Sequence, residues 1–175
     1  MVPWWVAGKG AWGGEAGFTE VKPHRRQADK NIEPRPPQRY LPSMDALFHH
    51  AAMTHGITVR VAVNFLPEQS RVEAGKWFWV YHIRIENHSD RTVQLLTRHW
   101  RITDGRGAVN LIEGEGVVGE TPVIAPGGSH DYVSGCPLTT PHGHMEGYYT
   151  FARADGSRFD AAIPPFPLAA PATAG

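Results

Sequence analysis

The chain has 175 residues, enough for one domain and an extension, and it can bury a core without disulfides or bound metal. Lysine plus arginine matches aspartate plus glutamate at 17 each, so no global charge draws the protein to nucleic acid or an anionic membrane. A single cysteine, Cys136, leaves no intrachain disulfide within this sequence and fits a reducing compartment.

Residues 1–50 read apart from the rest. Pro3, Pro23, Pro34, Pro36, Pro37 and Pro42 interrupt them, and neither a period of 2 nor one of 3.6 persists. They are expected to be a disordered extension or sequence upstream of the true start, with Met44 and Met53 as later starts. Basic residues from Lys22 to Arg39 and the aromatics Trp4, Trp5 and Trp12 would suit a docking arm instead. No basic stretch followed by a long apolar run opens the chain, so no secretory signal is expected and the cytoplasm is the expected compartment. No run approaches the roughly 20 apolar residues that span a bilayer. Residues 43–52 predict a short helix, capped by Ser43, with Leu47 and Phe48 on its apolar side.

From His55 the period becomes 2. Ile57, Val59, Val61, Val63 and Phe65 alternate with Thr58, Arg60, Ala62 and Asn64, which describes a half-buried strand. Pro67 and Gly75 lie in the break that follows. Residues 77–86 predict a central strand with Trp77, Trp79, Tyr81, Ile83 and Ile85 inward; Phe78 and Val80 make its first half apolar on both faces. Asn87-His88-Ser89-Asp90 is a turn by composition. Residues 93–104 form the third strand, placing Leu96, Arg98, Trp100 and Ile102 on one face and His99 on the other. Asp104-Gly105-Arg106-Gly107 signals a hairpin, and residues 108–114 return as the fourth strand. Three further strands are expected at 130–136, 145–151 and 159–163, with a turn at Asp155-Gly156 and Pro164-Pro165 ending the last. About seven short strands with no helix between them make an all-β sandwich of the immunoglobulin or fibronectin type III kind, with a small closed barrel as the alternative.

Gly114, Glu115, Gly116 and Gly119 belong to a GxGxxG motif. In dinucleotide folds such glycines let the backbone approach a pyrophosphate at a helix N-terminus. Here no helix can follow, because Pro122 and Pro126 come next. The loop could still offer amides to a phosphate, with Arg98 beside it, although Glu113, Glu115 and Glu120 would repel the anion. His142 and His144 are spaced to meet one metal ion in an extended segment, yet spacing supplies no third ligand. Ser134-Gly135-Cys136 lacks the elbow and the helix that would activate a nucleophile, and Cys136 fits a small buried side chain. No catalytic constellation, cofactor motif or metal motif stands out, so an enzyme is not expected.

Taken in order, these motifs resemble the ApaG family. The resemblance runs from residue 54 to residue 168. It is carried most specifically by residues 81–87, 94–104 and 114–120, with Ala125-Pro126-Gly127, residues 132–138 and Ile163-Pro164-Pro165-Phe166 adding to it. His130 departs from it, standing where an aromatic such as phenylalanine is usual. The resemblance implies a fibronectin-type-III-like domain over 54–168, a short tail over 169–175, and a link to diadenosine polyphosphate metabolism and to cobalt and magnesium homeostasis. It also implies a protein-binding role, by likeness to domains of eukaryotic F-box proteins and of a DNA-polymerase-delta-interacting protein. Pyrophosphate has been suggested for its glycine motif. The leading expectation is a non-enzymatic module, monomeric or weakly dimeric, that binds a protein partner through Phe78 and Val80. A nucleotide or pyrophosphate sensor acting through residues 114–119 is the first alternative, and a divalent-metal-responsive protein is the second.

Overall fold

The computed structural model describes residues 47–172. The tryptophans of the N-terminal segment and the helix cap proposed at Ser43 lie outside those residues. Nine strands follow in chain order: β1 (His50–Thr54), β2 (Ile57–Phe65), β3 (Trp77–Asn87), β4 (Val93–Asp104), β5 (Val109–Glu115), β6 (Val123–Ile124), β7 (Ser129–Leu138), β8 (His142–Arg153) and β9 (Arg158–Ala169). They form two antiparallel sheets, one in the order β1-β2-β3-β7 and one in the order β5-β4-β8-β9, with β6 also paired to β4. This is a β-sandwich. Among the described residues no helix is long and apolar enough to cross a membrane.

Alternation builds the core. Ile57, Val59 and Val61 of β2 and Trp79, Tyr81, Ile83 and Ile85 of β3 face inward from the first sheet. Leu95, Trp100, Met145, Tyr149, Phe151, Ile163 and Phe166 meet them from the second. Full burial of each such side chain contributes about 1.5–3 kcal/mol. Asn87, buried at the end of β3, ties the sheets together. It donates to the carbonyls of Arg91 (2.8 Å) and Ile124 (3.0 Å) and accepts from the Ser89 amide at 3.0 Å.

Four features depart from the sequence expectation. Residues 50–52 are strand rather than helix: β1 pairs with β2 through the turn His55-Gly56, both at positive φ (50° and 80°). Helix propensity in His50-Ala51-Ala52-Met53 gives way to a full ladder of backbone bonds. A bulge between Leu95 and Thr97 shifts the register of β4 against β8. The core position is therefore Leu95, fully buried, and not Leu96, while Arg98, Trp100 and Ile102 keep their shared face. The diproline does not end β9, which pairs with β8 as far as Ala169. β9 is an edge strand, where a missing donor is tolerated, and the register shifts there between Met145 and Gly147 of β8. Finally, β6 is a two-residue strand inside what reads as a long loop.

Candidate binding surface at the open edge of the sandwich

The two long edges of the sandwich differ. On one side β1 and β9 close it, and the Ala162 amide of β9 donates to Thr54 Oγ1 of β1 at 3.1 Å. On the other side lie β7 and β5. A small cavity of about 110 Å³ opens there between the sheets, lined by Tyr81, Trp100, Ile112, Cys136, Pro137 and neighbours.

The glycine-rich loop caps this side. Val117 and Glu120 close a two-residue turn by exchanging backbone hydrogen bonds of 2.8 and 3.0 Å. Both turn residues have positive φ, Val118 at 49° and Gly119 at 78°, as a type I′ turn requires. A β-branched residue in that region costs about 1–2 kcal/mol. Gly116 is required for another reason: a Cβ there would lie 2.1 Å from the Glu120 carbonyl oxygen. The Gly116 amide is used, donating to the Leu96 carbonyl at 2.7 Å. Among the described residues the amides of Val118 and Gly119 have no partner, and they sit at the tip of the turn.

Arg98 is brought to this loop, as the sequence suggested, but by the loop's acceptors. Its Nη1 donates to the carbonyl oxygens of Glu115 and Gly116, each at 2.8 Å. Its guanidinium lies over Gly114, where a Cβ would come within 2.9 Å of it. Below, Tyr81, Tyr132 and Tyr149 form a buried cluster. Tyr132 and Tyr149 share a hydrogen bond between their hydroxyls, and Ser134 bonds the Tyr81 hydroxyl. Burial pushes the Tyr81 phenol up to about 12 and raises those of Tyr132 and Tyr149 well above their ordinary value as well. None of the three offers a phenolate near neutral pH. Cys136 is likewise buried, and burial pushes its thiol up to about 12.

Phe78 and Val80 face outward from β3, and both are half-buried. The Phe78 ring packs on β7, so close that a Cβ at Gly135 would sit 2.3 Å from it. Its backbone is held by the connection before β3: Ser70 Oγ accepts its amide and the Leu66 amide donates to its carbonyl. His142 and His144 are both exposed on β8, and among the described residues no three His, Cys, Asp or Glu side chains are grouped to hold a metal ion.

Sequence reasoning placed the fourth strand at residues 108–114, close to β5, but missed its exposed apolar face. Two of its apolar side chains, Val109 at 47% and Leu111 at 68%, are exposed. Backbone pairing explains why it is open. The bonds from Gly116 to Leu96 and from Asp104 to Ala108 fix the alternation in the β4–β5 ladder. Asn110, Ile112 and Gly114 exchange bonds with β4, while Val109, Leu111 and Glu113 turn their N–H and C=O groups away from the sheet. Among the described residues β5 has no other neighbour. A groove of about 520 Å³ on the outer face of the sheet begins at Leu111 and Glu113 and runs past His99 and Tyr148 to Ala162. The His99 and Tyr148 rings stack at 4.3 Å. Arg101 is paired with Glu146 at 3.0 Å, and Glu113 Oε1 lies 3.3 Å from His99 Nδ1. Three cross-strand rows floor this region: Leu111–Arg101–Glu146, Glu113–His99–Tyr148–Ala162 and Glu115–Thr97–Thr150–Asp160. They carry four carboxylates against one guanidinium, so the surface beside β5 is acidic.

Comparison with known proteins agrees with the strand pattern. The ApaG domain profile matches residues 67–153. A Protein ApaG of Methylobacterium sp. (strain 4-46) is 51% identical over 122 residues, covering 70% of this chain and 94% of its own. Another, of Bradyrhizobium sp. (strain BTAi1 / ATCC BAA-1182), is 51% identical over 122 residues, 70% of this chain and 93% of its own. The crystal structure of the putative ApaA protein from Bordetella pertussis superposes with a TM-score of 0.64 at 41% identity, covering 66% of this chain and 94% of that one. With half of its aligned residues identical to curated relatives matched over nearly their whole length, the chain belongs to the ApaG family.

Proposed function

We propose that the protein is a non-enzymatic protein-binding module that receives a partner along the free edge of β5. The observation that carries this reading is the edge itself. Among the described residues, three successive outward residues present backbone donors and acceptors that no strand pairs, and Leu111 is 68% exposed beside them. A strand edge left open in this way is a template for another chain. Phe78 and Val80 fit the role less well, because the Phe78 ring is already committed to Gly135. The glycine-rich loop fits a structural role, since Arg98 holds the carbonyls of Glu115 and Gly116.

The test is site-specific photo-crosslinking in an extract of the native host. A photoreactive residue at position 111 is expected to give a discrete protein adduct that excess unlabelled protein competes away. The same residue at exposed Val123 serves as the control. Identical adduct patterns at 111 and 123 would refute the assignment.

A further inference from the structure

Strand addition at β5 constrains the partner's own sequence, and the constraint rests on the reading just given. Side chains of an added strand lie beside those of β5 at a Cβ spacing of about 4.5–5.5 Å. On the outer face the neighbours are Val109, Leu111, Glu113 and Glu115, so β5 is apolar at one end and doubly acidic at the other. Glu113 is well exposed, with 73% of its side chain accessible, and the three rows beyond it add Glu146 and Asp160 against Arg101 alone. Like charges directly opposite one another destabilise a sheet, whereas opposite charges stabilise it, and apolar side chains opposite one another remove apolar surface from water. The sheet is antiparallel throughout, and antiparallel pairs are the more stable kind.

We infer that the partner is an extended peptide segment, added antiparallel to β5, with two cationic residues followed by two apolar ones at alternate positions. The cations meet Glu115 and Glu113, and the apolar side chains meet Leu111 and Val109. The intervening residues face the mouth of the sandwich beside Ile112 and Pro137, where small side chains fit.

An NMR titration of the full chain with capped heptapeptides tests this. The probe Lys-Thr-Lys-Thr-Val-Thr-Val is compared with its reversed sequence, with a version carrying glutamate for lysine, and with one N-methylated at the amides that face β5. The first probe is expected to shift the Val109, Leu111 and Glu113 amides and to bind at least tenfold more tightly than the other three. In the Glu113→Lys/Glu115→Lys variant, whose substituted side chains point to solvent, the glutamate probe should become the preferred one. Equal affinity for the lysine and glutamate probes, or indifference to N-methylation, would overturn the inference. So would a Leu111-dependent dimer of the protein in sedimentation with no peptide binding. A crosslinked adduct at position 111 alongside failed probes would remove only the partner chemistry, whereas loss of that adduct as well would remove the binding reading.

Discussion

Replacing Arg98 with methionine keeps most of the side-chain stem and removes the guanidinium. The variant loses two donations, to the Glu115 and Gly116 carbonyls at 2.8 Å each. A hydrogen bond from a charged group contributes about 1.5–3 kcal/mol, less where solvent reaches it. One of these bonds is exposed and the other part-buried, so the low end applies and the sum is about 2–3 kcal/mol. For a domain of this size that lowers Tm by roughly 10 °C. Urea unfolding measures the first quantity and hydrogen exchange locates it, with faster exchange expected at Gly116, Val117 and Glu120. If Arg98 were instead held ready for an anionic ligand, its removal would leave stability and exchange unchanged. That outcome would refute the bracing role.

Three further outcomes follow from the buried polar groups. Tyr132→Phe and Tyr149→Phe should each cost about 1–3 kcal/mol, because each strands the other hydroxyl in the core. The double variant should cost no more than the worse single one in a urea-based cycle, and additive losses would contradict the shared bond. For Glu86, burial opposes the charged form, but hydrogen bonds from Arg60, Arg84 and His88 outweigh it and hold the carboxyl below its ordinary value of 4.5. A depressed folded value means the stabilisation is complete above about 4.5 and is lost as pH falls through the lower folded value. The stability gap between wild type and Glu86→Gln, measured by urea titration, should therefore shrink on acidification from pH 7 to below that value. A gap that widened would reverse the sign. The Cys136 thiol, raised to about 12 by burial, should resist a disulfide reagent at pH 8 until urea unfolds the chain.

The strands themselves were legible, because a period of 2 reports directly which side chains turn inward. Ile57 to Phe65 and Trp77 to Ile85 fell in register with the observed pairing. What local pattern could not supply were the points where pairing overrides it. Leu96 looked like a core residue until the bulge after Leu95 changed which side faces inward. His50-Ala51-Ala52 reads as helix, and only the long partner strand β2 makes it sheet. Pro164-Pro165 reads as a stop unless β9 is known to be an edge. The candidate site follows the same rule. The glycine motif was legible as a turn, and Arg98 as its neighbour. That Arg98 engages carbonyls was not, because a sequence does not give the direction of a peptide group. The apolar residues Phe78 and Val80 attracted attention for their position in an aromatic strand, while Val109 and Leu111 did not. Their exposure depends on β5 lying at the end of the order β5-β4-β8-β9, which is a long-range property.

The claim that β5 is an open docking edge is tested most directly by residue-resolved hydrogen exchange, with the protein alone and with its captured partner. Alone, the outward amides of Leu111 and Glu113 should exchange quickly, while those of Asn110 and Ile112, bonded to β4, stay protected. With partner bound, Leu111 and Glu113 should become protected and Asn110 and Ile112 should not change. Protection that appears instead over Phe78 to Val80, or nowhere on β5, would contradict the account.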